Sequence, residues 1–338
     1  MPNNKHFFIC CLLSTVYCFL IIGCSPRPIR YEETKFLMGT EVNIIVIGKS
    51  RAVIRSAVRA GFREISRIED IMSAYKPDSE LCLLNKAGEY ESSRELLYVI
   101  DEASHTSELS DGAFDITCKP LINLWHNAKK TNEVPDTQNI LDTLSLVGYR
   151  NILIKNNNVK FNKAGMKIDL GALAKGYAVD MAMNLIKNYD IKGALIDAGG
   201  DIRAIGKRED GKLWEIGIKH PRERNRIIGL INLENSAVAT SGDYERFFML
   251  NGKKYSHIID PRTGYPVDNQ IVSVSVFFSD CLTCDSLATA ITVLGEKRGI
   301  ELIEKLKGIE ALIINIKDDN LNLIKSSGLA NFKPVFGL

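Results

Sequence analysis

The second half of the chain alternates short β-type runs with turns that are rich in Gly and Asp. Successive runs lie too close together for the long crossover connections that parallel strands need, so they must pair as antiparallel neighbours. The predicted strands are 194–197, 214–219, 227–233, 255–259, 271–278 and 311–316. Helices are predicted at irregular intervals between them, at 172–189, 284–294 and 297–306. This arrangement predicts an α+β fold of antiparallel sheets with flanking helices, and it argues against a doubly wound parallel sheet.

The first half of the chain adds longer helices to this scheme. A strand is predicted at 41–47, and apolar residues at helical spacing predict a long amphipathic helix over 51–72. Further helices are predicted at 92–109, with Ser92 or Ser93 as the N-cap, and at 135–147. Two short strands at 152–155 and 159–161 flank an Asn-rich turn. No composition break forces a division, so one domain is predicted over 36–338.

Charge and composition exclude several classes of protein. The 43 Lys and Arg residues nearly balance the 41 Asp and Glu residues, which gives a net charge of +2. Such a chain lacks the broad basic field of a nucleic-acid-binding protein. Hydrophobic residues make up 45% of the sequence, which is typical of a globular protein and not of a disordered or fibrous one.

The N-terminus has the pattern of a bacterial lipoprotein. Lys5 and His6 precede an apolar run from Phe7 to Ile22, which is short for a membrane span and typical of a signal peptide. Gly23-Cys24 follows at the position of a lipobox. We therefore predict a signal peptide at 1–23, lipidation of Cys24 and a polar tether at 24–35. The alternative is an uncleaved membrane anchor.

Four cysteines remain beyond the signal peptide and Cys24: Cys82, Cys118, Cys281 and Cys284. They are too few for a disulfide scaffold. The Cys281-x-x-Cys284 spacing permits a redox site, whereas a zinc site would need a second pair or a nearby His. Simple burial beside a helix start is the other interpretation of this pair.

The Gly-rich turns combine with acidic residues in a way that a hydrophobic core does not require. Glycines let backbone N–H groups approach an anion, and a helix N-terminus favours phosphate. None of the turns matches a dinucleotide-binding or P-loop pattern. Their number and Asp content favour a phosphate-bearing ligand held with a metal ion, although an ordinary turn explains any one of them. The turns are Gly112–Asp115, Asp169–Gly176, Asp197–Asp201, Thr240–Tyr244 and His257–Gly264.

Asp285 and Thr289 are four residues apart on a predicted helix, so their oxygen atoms share one face. A carboxylate, a hydroxyl and a loop carbonyl form an oxygen-only site that suits Mg²⁺. The alternative is that Asp285 only complements the helix dipole while Thr289 packs against its neighbours.

Taken together, the motifs resemble the ApbE family of FAD:protein FMN transferases. The matching segments follow the family's order between residues 36 and 295. They are Met38–Thr40, Gly112–Asp115, Asp169–Tyr177, Asp197–Asp201, Ala239–Tyr244, His257–Gly264, Asp285–Ala290 and Val293–Gly295.

The resemblance implies an ApbE-type, T-fold-like architecture and a Mg²⁺-dependent reaction on FAD. These enzymes cleave the FAD pyrophosphate, release AMP and attach FMN by a phosphoester bond to a Thr or Ser of a partner protein. The resemblance assigns Mg²⁺ to Asp285, Thr289 and the Ala172 carbonyl. It assigns FAD binding to Met38, Tyr75, Ala113, Phe114, Asp115, Asp169, Lys175, His257 and Ile259. Lys175 stands where some members carry Glu.

The resemblance also implies a location and a partner. His257 is the candidate base for the acceptor hydroxyl, with a loop-orienting hydrogen bond as the alternative. Family acceptors carry a D-x-x-[ST]-G-A-[ST] motif, usually in a membrane redox subunit, and we expect a lipid anchor in the inner membrane facing the periplasm. Two other functions use the same residues: a Mg²⁺-dependent FAD pyrophosphatase, and a flavin-binding lipoprotein without catalysis.

Overall fold

The computed structural model describes residues 27–223, 225–242, 247–317 and 320–337. Within these ranges the helices are α1 (Arg51–Met72), α2 (Glu80–Ala87), α3 (Arg94–Leu109), α4 (Lys119–Thr131), α5 (Thr137–Leu144), α6 (Ala174–Ile186), α7 (Cys281–Leu294) and α8 (Glu296–Ile303). Three of them begin at a serine, since the side chains of Ser50, Ser79 and Ser93 each accept a hydrogen bond from the first helical turn.

The strands in the described residues are β1 (Ile29–Leu37), β2 (Thr40–Gly48), β3 (Glu89–Glu91), β4 (Ile152–Lys155), β5 (Asn158–Phe161), β6 (Ile191–Ala198), β7 (Asp201–Gly206), β8 (Trp214–Lys219), β9 (Ile227–Leu233), β10 (Ser236–Gly242), β11 (Phe247–Leu250), β12 (Lys253–Ser256), β13 (Ile271–Phe278), β14 (Glu310–Lys317), β15 (Asn320–Lys325) and β16 (Val335–Phe336).

One large antiparallel sheet forms the scaffold of the described part of the chain. Its eight strands run in the order β1-β2-β6-β7-β10-β13-β14-β15. Smaller sheets are formed by β16-β9-β8, by β3-β5-β4 and by the β11–β12 hairpin. The antiparallel pairing confirms the α+β prediction.

Both faces of the large sheet are covered by apolar side chains. On one face α1, α6 and α7 pack against residues such as Ile44, Ala198 and Ile313 in the main core. On the other face β8 and β9 cover a second core that includes Ile45 and Leu312. Alternate residues of β2 therefore point into different cores, as the two-residue period of a strand requires.

The register of the sheet brings several turns to the same end. Val42 pairs with Ala198, Val238 pairs with Ile202, and Gly242 pairs with Ser273. The β1–β2 turn, the β6–β7 turn and the C-terminal end of β10 consequently lie at one end of the sheet. We call this the turn end.

The structure corrects several boundaries that we predicted from the sequence. The tether cannot extend to residue 35, because Ile29–Leu37 forms β1 at the edge of the sheet. Thr240–Gly242 belongs to strand β10 and not to a turn. The helix predicted at 135–147 is shorter, and α2 and α4 were not predicted. The strand predicted at 255–259 ends at Ser256.

The N-terminal predictions fall on residues that the structure does not describe. The signal peptide at 1–23 and the lipidation site at Cys24 both lie before residue 27. In the described ranges, no helix combines the length and the apolar character needed to cross a membrane.

Candidate active site

The turn end of the sheet brings together two of the Gly-rich segments that the sequence predicts to bind a phosphate ligand, Asp169–Gly176 and Asp197–Asp201. Asp201, the first residue of β7, forms an ion pair with Lys175, which lies in the first turn of α6. Lys175 also lies near Asp285 of α7, with 3.4 Å between its Nζ and the Asp285 Oδ2. The starts of two helices thus meet at the end of one strand.

Close helix packing fixes this meeting point. The Gly176 N–H donates to Asp285 Oδ2 over 3.2 Å. A Cβ at Gly176 would overlap the carbonyl group of Cys281, so only glycine allows α6 to approach α7 this closely. The first turn of α6 therefore supplies both a backbone donor and an ammonium group to the same carboxylate.

Burial and charge shape the electrostatics of this cluster. Burial raises the pKa of Asp201 well above its usual value, and the charge of Asp285 adds to this, while Lys175 opposes it. Burial alone would lower the pKa of Lys175, but the charges of Asp201 and Asp285 outweigh it and raise this pKa. Two carboxyl groups and one ammonium group thus share a largely buried site.

The residue types predicted to hold Mg²⁺ supply oxygen atoms of the kind that this ion prefers. Thr289 lies one turn beyond Asp285 on α7 and is half-buried, and Ala172 lies in the turn just before α6. A carboxylate, a hydroxyl and a carbonyl are hard donors, and Mg²⁺ commonly completes such a set with water and substrate phosphate. No cluster of three His, Cys, Asp or Glu side chains occurs in the described ranges. The fit therefore depends on the hydroxyl and carbonyl oxygens.

Asp169 lies in the loop that leads into α6 and is held from three sides. Its Oδ2 accepts from the Lys119 Nζ over 2.7 Å, and its Oδ1 accepts from the Gly171 N–H over 2.8 Å. Its own N–H donates to the Ile116 carbonyl over 2.7 Å. These bonds tie the loop before α6 to the segment that follows Gly112–Asp115.

Tyr75 is joined to the same group of residues. The Lys119 Nζ lies 5.4 Å from the centre of the Tyr75 ring, within the range of a cation–π interaction. The Tyr75 side chain is 86% exposed, so a large aromatic face is open to a ligand. Met38 is linked to this region because Glu69 accepts from the Met38 N–H and from Lys76.

Asp115 is buried and holds the local backbone. One of its oxygens accepts from the N–H and the hydroxyl of Thr117, and the other accepts from the Tyr149 N–H. Burial raises its pKa, while the hydrogen bonds from Thr117 and Tyr149 oppose the shift. These bonds already use both oxygens, so in this structure Asp115 orders the loop.

Three of the predicted FAD-binding residues are apolar and buried. Ala113 packs with Ile258 and with Val293 of α7, whereas Phe114 belongs to the main core. Ile259 packs beside Trp125 of α4. These contacts bring the Gly112–Asp115 turn, the segment after β12 and α7 together beneath the exposed residues.

His257 lies immediately after β12 and is exposed. The next residue, Ile258, is buried and donates its N–H to the Ser256 hydroxyl over 3.1 Å. The residues on both sides of His257 are therefore joined by a hydrogen bond, while His257 itself is exposed.

Sequence reasoning missed two residues that the structure places in the site. Asp201 was noted in a turn, but no role was predicted for its side chain. Lys119 was missed together with α4. Two signals could have revealed α4: Pro120 in its first turn, and the spacing of Leu121, Trp125 and Ala128.

Cys281 and Cys284 lie at the start of α7 and are fully buried. Burial raises the pKa of both thiols well above their usual value, so they stay protonated and unreactive at neutral pH. This supports the burial interpretation of the Cys-x-x-Cys spacing.

Comparisons with known proteins agree with this arrangement. The ApbE family model matches residues 38–313. The FAD:protein FMN transferase of Vibrio cholerae serotype O1 is 33% identical over 330 residues, which cover 96% of this chain and 98% of that protein.

Two solved structures are also similar to the chain. The flavin transferase ApbE from Vibrio cholerae aligns with a TM-score of 0.80 at 31% identity, over 90% of this chain and 99% of the other. The ApbE protein from Thermotoga maritima gives 0.81 at 34% identity, with the same coverage of both chains. The motifs, the fold and these matches together establish that the chain belongs to the ApbE family.

Proposed function

We propose that this protein is a Mg²⁺-dependent FAD:protein FMN transferase. The observation that carries the proposal is the Lys175–Asp201–Asp285 cluster at the meeting point of α6, α7 and β7, in a chain that belongs to the ApbE family. The substrates are FAD and a protein with an acceptor Thr or Ser, and the products are AMP and the FMN-bearing protein.

In this proposal Asp285, Thr289 and the carbonyl of Ala172 hold Mg²⁺. When bound, the metal neutralises charge on the pyrophosphate oxygens. Lys175 contributes a fixed positive charge beside it, since its ammonium group is already held by Asp201. The N-terminus of α6 adds backbone N–H groups and a favourable dipole for an anion.

In this proposal FAD binds over Tyr75 and Asp169, which both contact Lys119, and over the buried loops beside them. Tyr75 offers its exposed ring for stacking, and Asp169 accepts hydrogen bonds from the ligand. Asp115 contributes to FAD binding by ordering its loop, in addition to any direct contact with FAD. The remaining FAD-binding residues in this proposal are Met38, Ala113, Phe114, Lys175, His257 and Ile259.

The transfer step exchanges one P–O bond for another. The acceptor hydroxyl oxygen attacks the phosphorus that bears the riboflavin, and a new P–O bond forms. The bond from that phosphorus to the bridging oxygen breaks, and AMP leaves with the electron pair. His257 accepts the hydroxyl proton, because it is exposed and an imidazole can take up a proton from an incoming side chain.

The same site would act as a pyrophosphatase if water replaced the acceptor hydroxyl. This is the second candidate, because His257 is exposed and water can approach the residue as an acceptor hydroxyl does. A flavin-binding lipoprotein without catalysis is a weaker candidate, since binding alone does not require a cation site at the pyrophosphate.

We propose that in the cell this protein is a lipoprotein, anchored through Cys24 in the inner membrane and facing the periplasm. Its acceptor then carries the D-x-x-[ST]-G-A-[ST] motif in a membrane redox subunit. The support for this proposal is the apolar run before Gly23-Cys24 and the resemblance of the motifs to the family.

The test is incubation with FAD, Mg²⁺ and a soluble domain bearing the acceptor motif, followed by mass spectrometry. We expect the domain to gain one FMN for each AMP released, and we expect EDTA or an acceptor Thr→Val change to abolish the gain. AMP with only free FMN would support the pyrophosphatase. Neither product in the presence of bound FAD would support the binding protein.

A further inference from the structure

The position of Asp201 is fixed by the tight turn that precedes it. Gly199 and Gly200 join β6 to β7 with positive φ angles of 66° and 98°, and Asp201 pairs with Ala198 across the turn. A Cβ at Gly199 would lie too close to the side chain of Thr40 at the start of β2, so glycine lets the two turns pack together. The buried Asp201 side chain therefore projects from a well-ordered point at the turn end.

Lys175 lies between two carboxyl groups but is bound to them unequally. Its ammonium group forms an ion pair with Asp201, whereas its Nζ is 3.4 Å from the Asp285 Oδ2. The second distance is long for a charge-assisted hydrogen bond. The ammonium group is therefore held mainly by Asp201, and it contacts Asp285 only loosely.

This unequal binding matters for any cation that binds at Asp285. The ammonium group and a metal ion carry charges of the same sign, so close contact of Lys175 with Asp285 would repel the metal and occupy one of its oxygen ligands. The flexible stem of a lysine side chain lets the Nζ cross such a short distance easily. An open Asp285 carboxylate thus requires a second anion that keeps Lys175 in place.

We propose that Asp201 is a positioning residue, which holds the Lys175 ammonium group away from Asp285 and so leaves the Asp285 carboxylate open to a divalent cation. This inference rests on the proposed function, since it takes the cation site at Asp285 from there. In this role Asp201 acts through Lys175 and does not bind the metal itself. Removal of Lys175 therefore separates the positioning role from direct binding of the metal.

The decisive variant is Asp201→Asn, which keeps the shape of the side chain and removes its charge. The Lys175 ammonium group should then close on Asp285 and compete with the metal. The probe is Mn²⁺, which prefers the same oxygen ligands as Mg²⁺ and is counted as the free ion by EPR spectroscopy. In the absence of FAD, we expect the affinity for Mn²⁺ to fall at least fivefold. Asp201→Ser serves as a second variant, because its smaller side chain cannot overpack the site.

The double variant Asp201→Asn, Lys175→Met identifies the cause of the loss. It has no ammonium group to compete at Asp285, so its affinity for Mn²⁺ should return to within twofold of that of the wild-type protein. The titrations contain no FAD, so any contact of Lys175 with FAD does not affect the result. If Asp201 were itself a metal ligand, the loss of Lys175 would not restore the affinity.

The control for a general effect of charge is Asp197→Asn at the other side of the same turn. The Asp197 Oδ1 accepts a hydrogen bond from the Gly200 N–H over 2.8 Å, and an Asn side chain can accept the same bond. This variant also removes one negative charge, but it leaves the ion pair of Lys175 with Asp201 intact. We expect its affinity for Mn²⁺ to stay within twofold of that of the wild-type protein.

Crystal structures of the metal-free wild-type protein and of Asp201→Asn test the position of Lys175 directly. In the variant, the Nζ should leave residue 201 and form a hydrogen bond of about 2.8 Å with Asp285. A purely structural role of Asp201 would not move the ammonium group onto Asp285. This measurement does not depend on metal binding or on FMN transfer.

Four outcomes would overturn the inference. They are an unchanged affinity for Mn²⁺ in Asp201→Asn, a loss that the double variant does not restore, an equal loss in Asp197→Asn, and a Lys175 ammonium group that stays at residue 201 in the variant. By contrast, equal binding of Mn²⁺ by the wild-type protein and by Asp285→Asn would contradict the cation site of the proposed function. The crystal structures would still show in that case whether Asp201 sets the position of Lys175.

Discussion

At the scale of single residues, the proposed Mg²⁺ site depends on the carboxylate of Asp285. Its Oδ2 is shared by the Gly176 N–H and Lys175 at 3.2 and 3.4 Å, distances that are long for charge-assisted hydrogen bonds. A carboxylate held this loosely can turn toward a cation.

The variant Asp285→Asn tests this role, because it keeps the shape and removes the charge. We expect the rate of AMP release to fall at least tenfold, which corresponds to about 1.4 kcal/mol of transition-state stabilisation. Part of the rate should return at high Mg²⁺. The matched control is Asp280→Asn at the N-cap of the same helix, where Asn caps equally well. An unchanged rate of Asp285→Asn at limiting Mg²⁺ would reduce Asp285 to a packing residue.

His257 should act in the chemical step, whereas Asp169 should act in the binding of FAD. Asp169→Ala removes the partner of Lys119 and is expected to weaken FAD binding about tenfold or more. His257→Ala should lower turnover while FAD affinity changes little, because a base acts only as the proton leaves in the transition state. Flavin fluorescence gives the affinity, and AMP release gives the rate. Equal losses of affinity and rate in His257→Ala would make His257 a ligand contact and not a base.

The sequence could predict those residues that stand in distinctive Gly and Asp motifs, such as Asp169 and Asp285. It could not predict that Lys119 would reach Asp169, since the two are far apart along the chain and only the fold joins them. Nor could it predict that both carboxylate oxygens of Asp115 would accept hydrogen bonds from the backbone, one from Thr117 and the other from Tyr149. Such choices depend on tertiary distances that local patterns do not contain.

At the scale of helices and strands, the contact between α6 and α7 sets the geometry of the site. Gly176→Ala should push the two helices apart, because the new Cβ would overlap the rigid Cys281 carbonyl. We expect a loss of about 1–3 kcal/mol in the free energy of unfolding, measured with urea. The control is Gly61→Ala, whose Cβ would meet only the ends of the Ile186 and Ile44 side chains. Equal losses in the two variants would show that the backbone contact is unimportant.

Asp180 of α6 holds the start of α7 through hydrogen bonds to its backbone. Its carboxylate accepts from the Cys281 and Leu282 N–H groups and pairs with Arg203 over 2.6 Å. Burial raises the pKa of Asp180 from 3.8 to about 6, although Arg203 and these N–H groups oppose the shift. A raised pKa in the folded state means that the contribution of this group to stability is present below pH 3.8 and is lost as the pH rises through about 6.

The variant Asp180→Asn cannot titrate at this position. The rise in pKa corresponds to roughly 3 kcal/mol. The wild-type free energy of unfolding should therefore decrease relative to that of the variant by about this amount between pH 4 and pH 7. Urea unfolding of both proteins across this range measures the difference. A constant difference would mean that Asp180 titrates normally in the folded protein.

Two strands, β1 and β10, are not predicted from the sequence, and each has a physical reason for lacking a clear strand pattern. The edge strand β1 exposes most of its residues and contains two adjacent Glu residues, so it lacks a hydrophobic pattern. The strand β10 has the sequence SAVATSG, whose small residues resemble a turn. They are small because α7 packs closely against this strand, with Ala237 and Ala239 in the main core.

At the scale of the whole molecule, one antiparallel sheet with covered faces carries the Lys175–Asp201–Asp285 cluster at its turn end. The antiparallel class follows from the short spacing of the β-runs, but the strand order does not. The order β1-β2-β6-β7-β10-β13-β14-β15 places the first two strands beside the sixth through pairing across the whole chain. Long-range pairing of this kind leaves no local signal in the sequence.

The last prediction concerns the proposed lipid attachment of the protein at Cys24. Lipid attachment requires the Cys24 thiol, because the diacylglyceryl group is joined to sulfur and a hydroxyl does not replace it. Each buried CH₂ of an acyl chain contributes roughly 0.8 kcal/mol, so two or more chains hold a protein stably at a bilayer. Cys24→Ser should therefore leave the precursor uncleaved and without fatty acid, as measured by gel mobility and labelled palmitate.

A second variant, which lacks residues 1–24, separates anchoring from catalysis. Anchoring on the membrane of the acceptor raises the effective concentration of one protein at the other without any new contact. A protein lacking residues 1–24 should thus modify a soluble acceptor domain at the normal rate, while flavinylation of a membrane acceptor in cells should fall severalfold. If Cys24→Ser were processed and labelled normally, the lipid anchor would be wrong, and the assignment of the site at the turn end would stand unaffected.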